Sequence, residues 1–214
     1  MSEDRPRIAI SVPSGDMVHA DFCLALASLC HEMSGVDVTI LSNKSSIVAI
    51  ARNNGVAMAQ EAKADYLLYL DSDMVFPRNS LRRLLAHRQD IVGATYTKRV
   101  PPFSLLGTAF DTQPADAPEG LVEMSRIPTG CLLINMAVFD QLKRPYFRFE
   151  TNETTGDLIG EDYVFCDRAR QAGFRIWGDL ALSVEIGHIG QQIHRLADHL
   201  PPGNMSQVPA EPPA

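Results

Sequence analysis

A chain of 214 residues, 45% of them hydrophobic, is long enough for one well-packed domain and short for two. Its formal net charge of −7 argues against nonspecific nucleic-acid binding, which requires a basic surface. No apolar run reaches membrane-spanning length, and the charged residues 1–7 lack the apolar core of a signal peptide. The sequence therefore predicts a soluble protein without a membrane span.

The cysteines bear on the compartment in which the protein folds. Cys23, Cys30, Cys131 and Cys166 are scattered among apolar neighbours and show no short paired spacing. This pattern favours reduced core residues over a zinc site or a disulfide framework. We interpret the chain as a cytoplasmic protein.

The first half of the sequence alternates between strand-like and helix-like patterns. Strands are predicted at residues 7–12, 36–41, 66–70 and 90–96, and helices at residues 17–33, 46–62 and 77–87. The helix at 17–33 is apolar nearly all round, which predicts deep packing. The alternation is typical of right-handed βαβ units and predicts an α/β fold with a mostly parallel central sheet.

The second half is less regular. Residues 100–120 are predicted to be irregular, residues 121–124 and 127–134 to form a pair of strands around a turn, and residues 147–160 to form a loop. Helices are predicted at residues 137–142 and 161–172, the second ended by Gly173, followed by a strand at 174–177. Five of the residues in 201–214 are proline, which predicts a disordered tail after a single domain spanning 1–200.

Two aspartates follow the most apolar strand pattern of the chain. The run Tyr66–Leu70 predicts a strand buried on both faces in the middle of a parallel sheet. Asp71 and Asp73 follow one residue apart, so in an extended chain their carboxylates point to the same side. Open α/β sheets bind ligands beyond the carboxyl ends of their strands. The pair therefore predicts either a metal clamp or a nucleophile with its acid partner.

Two further groups downstream carry chemistry. Glu161 and Asp162 begin a predicted helix, and His188 stands between Gly187 and the Ile-Gly pair after it. Two aspartates with one imidazole suit Mn²⁺ or Mg²⁺ better than zinc. Such an ion would neutralise a departing diphosphate, and a carboxylate of the downstream pair would act as general base toward a hydroxyl.

The order of these motifs resembles that of GT-A glycosyltransferases and is most similar to glycosyltransferase family 2 and its relatives. The segments that carry the resemblance are residues 51–55 (ARNNG), 64–77 (ADYLLYLDSDMVFP), 129–134 (TGCLLI), 160–162 (GED) and 188–190 (HIG). The resemblance covers about residues 7–190. It implies a single GT-A domain, a Rossmann-like fold of nucleotide-diphospho-sugar transferases.

The resemblance also implies a role for each matching residue. Asp73 would be the principal metal ligand, Asp71 would face the ribose or the metal, and His188 would complete the coordination. Asp162 would be the general base, with Glu161 helping to position the acceptor. The residues expected to contact the nucleotide are Pro13, Ser14, Gly15, Arg52 and Asn53.

The implied activity is metal-dependent transfer of a sugar from a UDP- or GDP-sugar donor to a hydroxyl acceptor, with inversion favoured by the Glu-Asp pair. The family often places acidic residues after the second strand to bind the nucleobase, whereas the turn here is Ser42-Asn43-Lys44. This departure leaves the identity of the nucleotide open, and the sequence does not decide the sugar, the acceptor or whether the protein is a homo-oligomer. Residues 147–160 are expected to order over bound donor.

Two other functions remain as alternatives. The motif at Asp71 also resembles the nucleophile motif of haloacid-dehalogenase-like phosphatases, although two βα units precede it here. A catalytically silent nucleotide-sugar binding protein is the second alternative, because a fold does not guarantee turnover. Simpler structural readings also exist: Arg52 and Asn53 as an exposed helix face, and Tyr96, Lys98 and Arg99 as a solvated basic strand end.

Overall fold

The computed structural model describes residues 5–99, 103–190 and 193–195. The predicted tail at 201–214 lies outside this range. The helices are α1 (Ala20–Glu32), α2 (Val48–Glu61), α3 (Ser80–Ala86), α4 (Ala137–Asp140), α5 (Glu161–Gln171) and α6 (Leu180–Ser183). The strands are β1 (Arg7–Ser14), β2 (Asp37–Lys44), β3 (Tyr66–Leu70), β4 (Met74–Val75), β5 (Ile91–Gly93), β6 (Thr108–Ala109), β7 (Leu121–Arg126), β8 (Cys131–Asn135), β9 (Glu150–Thr151), β10 (Leu158–Ile159), β11 (Trp177–Asp179), β12 (Gly187–Ile189) and β13 (Ile193–Arg195).

An eight-stranded sheet in the order β2-β1-β3-β8-β5-β11-β7-β6 forms the centre of the fold. The α/β class is confirmed, but the expectation of a mostly parallel sheet is wrong. β1 pairs in parallel with β2 and β3, whereas β8 lies antiparallel between β3 and β5. The first four of the five residues in β8 are apolar and buried without alternation, so the sequence does not indicate the direction of the strand.

Strand β3 is buried on both faces, as predicted. Leu68 and Leu70 belong to the hydrophobic cluster shared with α1 and α3, and Leu67 and Tyr69 to the cluster shared with α2, α4 and α5. All four side chains are fully buried. Because β1, β3 and β5 run in the same direction, the segments that follow them meet at one edge of the sheet.

Helix α1 differs from its prediction. Only Phe22 and Leu29 of this helix are buried, and Leu24 is 68% exposed. Ala25, Leu26 and Cys30 are partly buried against the same cluster, so the helix packs one stripe against the sheet and its opposite face remains at the surface. Cys23, predicted to be a core residue, is exposed for the same reason, while Cys131 and Cys166 are buried and all four thiols are free.

The second half of the chain departs further from the predictions. β7 and β8 do not pair with each other: β7 pairs with β11 and β6, and β8 with β3 and β5. The predicted loop at 147–160 contains the short hairpin of β9 and β10. The last predicted strand of the sheet begins at Trp177 instead of residue 174. The helix at 161–172 is confirmed, and Gly173 follows it with φ +95°.

None of the described helices is both long and apolar enough to cross a membrane.

Candidate functional site

The site begins where β3 ends. The backbone N–H of Asp71 donates to the Gly130 carbonyl at 3.1 Å, which continues the pairing of β3 with β8 by one residue. The Asp71 carboxylate accepts from both terminal nitrogens of Arg52, Nη1 to Oδ1 and Nη2 to Oδ2, each at 3.1 Å. This bidentate pair uses the Asp71 oxygens that were expected to face a ribose or a metal ion.

Arg52 is a buried residue, with 4% of its surface exposed. Its Nε donates to Oε1 of Glu161 at 3.0 Å, and its guanidinium lies 5.5 Å from the centre of the Tyr69 ring. The Tyr69 hydroxyl donates to the Arg52 carbonyl at 2.6 Å. Arg52 therefore joins the end of β3 to the start of α5, and neither its predicted nucleotide contact nor an exposed helix face describes its position.

Asn53 also has protein partners in place of a nucleotide. Its Nδ2 donates to the carbonyls of Ala49 and Phe147, both at 2.7 Å. Its Oδ1 accepts from the backbone N–H groups of Tyr146 and Phe147 at 2.8 and 3.3 Å. These four bonds use the full capacity of the side-chain amide. Asn53 thus anchors the segment that leads to the β9–β10 hairpin.

Asp73 and His188 come together although they are far apart in the sequence. β12 pairs antiparallel with β4, so His188 lies opposite Met74, and the Ile189 N–H donates to the Asp73 carbonyl at 2.7 Å. His188 Nε2 is 3.4 Å from Asp73 Oδ2. His188 Nδ1 lies 2.9 Å from the Thr97 carbonyl, which can only accept a proton, so Nδ1 is the donor of this contact and Nε2 faces Asp73.

The charges of this pair are coupled. Burial alone would raise the pKa of Asp73, but the His188 imidazole and the Arg99 guanidinium outweigh burial and lower it. Burial likewise disfavours charged His188, yet the hydrogen bonds to Asp73 and Thr97 raise the pKa of the imidazole. Asp73 is therefore a carboxylate at neutral pH, held beside a ring nitrogen that can also serve as a metal ligand.

Glu161 and Asp162 begin α5 at the same site. Glu161 is 7% exposed and is committed to Arg52, so it does not face an acceptor as expected but fixes the start of the helix. The Asp162 Oδ1 accepts the backbone N–H of Tyr163 at 2.8 Å. Burial, followed by repulsion from Glu161, raises the pKa of Asp162 to about 6. Of the two, Asp162 is the residue suited to proton transfer near neutral pH.

Tyr96 lies between Gly130 and His188, a position that its place at a predicted strand end did not reveal. Its hydroxyl oxygen accepts the Gly130 N–H at 2.9 Å, and its ring centre lies 5.1 Å from that of His188. Burial, with the nearby charges of Asp71 and Asp162, raises the pKa of this phenol well above its usual range. Tyr96 is therefore a neutral phenol that contacts His188 and lies within the electrostatic influence of Asp71 and Asp162.

Gly130 allows this contact. A Cβ atom at this position would lie 2.2 Å from the Tyr96 hydroxyl and 3.2 Å from Asp71 Oδ2. The motif around Gly130 indicated a strand near the site, but the close approach of the tyrosine could not be predicted from it.

Two buried hydroxyls on these segments, Thr97 Oγ1 and Thr129 Oγ1, lack a hydrogen-bond partner among the described residues. Buried groups of this kind usually bind water or a ligand.

Arg99 is a second residue whose partner the sequence did not identify. Its Nη1 donates to Asp73 Oδ2, and its side chain is 53% exposed. The exposed basic strand end considered for Tyr96, Lys98 and Arg99 is thus wrong for the buried Tyr96 and incomplete for Arg99.

Pro13, Ser14 and Gly15 lie at the end of β1, the strand beside β3, at the same edge of the sheet. The Ser14 carbonyl accepts the Ser45 N–H at 3.2 Å. An added Cβ at Gly15 would meet no atom within 4 Å. This turn is therefore open, and its predicted contact with a nucleotide stays a prediction.

A divalent cation can be tested against these residues. The described residues contain no group of three or more His, Cys, Asp and Glu side chains that could hold a metal, and Asp71 is paired with Arg52. Asp73 and His188 remain as one carboxylate and one imidazole. Mg²⁺-type ions commonly use one or two protein carboxylates with substrate phosphates and water. The pair fits an ion that a diphosphate ligand helps to hold.

Two surface depressions of about 360 Å³ each lie elsewhere, at the opposite edge of the sheet. One is lined by residues around Asp65 and Asn135, at the start of β3 and the end of β8. The other is lined by residues around Asp90 and Trp177, at the starts of β5 and β11. Neither depression is lined by Asp73, His188, Glu161 or Asp162.

Comparison with known proteins supports the fold. No protein-family model matches the sequence, and neither does any curated protein sequence. Among solved structures, 182 chains match. One is the crystal structure of A197 from STIV, with a TM-score of 0.57 and 18% identity over 86% of each chain. At this identity the similarity establishes a shared α/β fold.

Proposed function

We propose that the protein is a metal-dependent glycosyltransferase with a GT-A domain, which moves a sugar from a nucleotide-diphosphate-sugar to a hydroxyl acceptor. One observation supports this proposal above the others. A carboxylate and an imidazole from distant segments, Asp73 and His188, meet beside a cluster that contains Asp162, a carboxyl with a pKa of about 6. Tyr96 contacts His188, and the charge of Asp162 contributes to the raised pKa of its phenol.

In this proposal Asp73 and His188 hold Mn²⁺ or Mg²⁺, which when bound supplies Lewis-acid stabilisation for the departing diphosphate. The Thr97 carbonyl keeps the proton of His188 on Nδ1, so that Nε2 stays directed at Asp73. The Ile189 N–H to Asp73 carbonyl bond fixes the backbones of the two residues relative to each other. The chain therefore provides a preformed pair of ligands rather than one assembled on binding.

Asp162 accepts the proton of the acceptor hydroxyl. A base works best when its pKa lies near the working pH, and burial brings that of Asp162 from 3.8 to about 6. Arg52 holds Glu161 through one hydrogen bond and Asp71 through two, so the start of α5, which carries Asp162, is fixed against the end of β3. A base acting directly on the acceptor implies a single displacement, and NMR analysis of the product anomer should show inversion.

The phosphatase alternative needs Asp71 as a nucleophile. Both Asp71 oxygens accept hydrogen bonds from Arg52, which stabilises the carboxylate and lowers its tendency to attack phosphate. This observation favours the transferase. A silent binding protein would share the site but would not require a carboxyl whose pKa is raised toward neutrality.

Thermal unfolding with a panel of UDP- and GDP-sugars, each with and without Mn²⁺, tests the proposal. A ligand that binds only the folded state raises the midpoint of unfolding. We expect a Mn²⁺-dependent rise with at least one donor in the wild type and its loss in Asp73→Asn. The matched control is Asp140→Asn, an exposed carboxylate in α4 away from the site, which should keep the rise. Hydrolysis of an aryl phosphate without nucleotide would instead support the phosphatase.

A further inference from the structure

Arg99 stands at a fixed position beside the candidate cation site. The Lys98 N–H donates to the Ser104 carbonyl at 2.9 Å, and the Leu106 N–H donates to the Tyr96 carbonyl at 2.8 Å. These bonds hold the backbone leading to Arg99 against the segment at 104–106. The side chain of Arg99 therefore extends from a strand end whose backbone is held as far as Lys98.

The partner of Arg99 in the structure is the carboxylate expected to bind a cation. Arg99 donates to Asp73 Oδ2, the oxygen that also faces His188 Nε2. The guanidinium thus places a positive charge beside the carboxylate oxygen at which a divalent cation would bind. Because 53% of the Arg99 side chain is exposed, the ion pair is a weak one that a divalent cation can displace.

The displaced guanidinium would have a second partner within reach. The other guanidinium of the site, that of Arg52, is buried and bound to Asp71 and Glu161, so it cannot turn to a ligand. Arg99 is exposed, and a guanidinium can bind a phosphate through two parallel hydrogen bonds. A cation on Asp73 repels Arg99 and attracts a diphosphate to the same place.

We propose that Arg99 exchanges partners during donor binding: it neutralises Asp73 in the free protein and binds the donor diphosphate once a divalent cation has taken Asp73. This inference rests on the proposed function, since it assigns Arg99 to the diphosphate of the same donor. It makes Arg99 both a competitor of the metal and a ligand of the diphosphate. Removing its charge must therefore change the two affinities in opposite directions.

The test measures both affinities in the full chain with Arg99→Gln. Free Mn²⁺ is followed by electron paramagnetic resonance, first with Mn²⁺ alone and then with inorganic pyrophosphate added. We expect Mn²⁺ alone to bind up to about fivefold more tightly than to the wild type, because an exposed ion pair has been removed. Pyrophosphate in the presence of Mn²⁺ should bind about tenfold or more weakly, because a charged hydrogen-bond donor has been lost.

Lys98→Gln is the matched control, since it removes the same charge from the neighbouring exposed position. Both of its affinities should stay within about twofold of the wild type, and equal effects in the two variants would reduce the role of Arg99 to nonspecific attraction. Tighter Mn²⁺ binding with unchanged pyrophosphate binding would overturn the exchange, because Arg99 would then compete with the metal for Asp73 without binding the diphosphate. A wild type that binds Mn²⁺ and pyrophosphate while Arg99→Gln changes neither would overturn this inference alone. A wild type that binds neither would overturn the proposed function with it.

Discussion

Arg52 and Asp71 form a bidentate ion pair in which each terminal guanidinium nitrogen lies 3.1 Å from a different carboxylate oxygen. The third contact of Arg52, from Nε to Glu161, links this pair to the first residue of α5. The guanidinium is buried, and its pKa is raised because the attraction of the two carboxylates outweighs the effect of burial. One side chain therefore sets the positions of two carboxylates from different elements.

Replacing Arg52 by Lys should destabilise the fold by about 3 kcal/mol, because an ammonium cannot satisfy Asp71 in bidentate fashion and reach Glu161 as well. The remaining buried carboxylate would be left without its partner. Urea unfolding followed by circular dichroism measures the change. The control is Arg82→Lys, an exposed residue paired with Glu32, for which we expect less than about 1 kcal/mol. Similar losses in both variants would contradict the bridging role of Arg52.

Gly130→Ala should destabilise the protein by about 2 kcal/mol. Its Cβ would lie 2.2 Å from the hydroxyl of Tyr96, a side chain that is 4% exposed and has little room to move. Thermal unfolding measures the loss. Gly15→Ala is the control, because nothing lies within 4 Å of its added Cβ, and we expect its midpoint of unfolding to stay close to that of the wild type. A tolerated Gly130→Ala would mean that Tyr96 can shift and that its contact with Gly130 is loose.

The sequence predicted strand β3 and the Asp73–His188 pair, but not the direction of β8 or the partners of Arg52. β3 was predictable because an unbroken apolar run bounded by polar residues indicates a buried strand. The meeting of Asp73 with His188 was predicted from the order of motifs. The local sequence alone does not indicate it, because the pairing of β4 with β12 joins distant segments. The sheet direction was not predictable at β8, because its apolar run at 131–134 shows no alternation and is compatible with either orientation.

Arg52 and Asp71 show why the remaining side chains could not be assigned. A lone arginine on a helix is most often exposed, and its sequence neighbours do not report which face will be covered. An aspartate that pairs with a buried arginine has the same local sequence as one that binds a metal. The choice between the two depends on a contact made by residues from different elements, and only the folded chain determines it.

The pKa of Asp162 predicts the pH dependence of the reaction. A base must be ionised to accept a proton, so activity should be lost as the pH falls through about 6. With the donor identified by thermal unfolding, kcat/KM measured from pH 4.5 to 8 should rise with a midpoint near 6, and carbon NMR of the Asp162 carboxyl should titrate at the same pH. A carboxyl midpoint near 4 would remove the argument that burial tunes this base.

Asp162→Asn should abolish transfer and at the same time stabilise the fold at neutral pH. The folded pKa of about 6 lies above the ordinary value of 3.8, so folding favours the protonated form. The resulting stability is complete below the unfolded pKa and is lost as the pH rises through about 6. Asparagine mimics the protonated form and can still accept the Tyr163 N–H. The gain in unfolding free energy should therefore be near zero at pH 4 and about 2–3 kcal/mol at pH 7, measured by urea unfolding at each pH.

The control for this prediction is Asp157→Asn, at an exposed position, which should show no such trend with pH. A variant that is inactive and also less stable at pH 7 would indicate that Asp162 supports the structure instead of serving as a base held at an energetic cost.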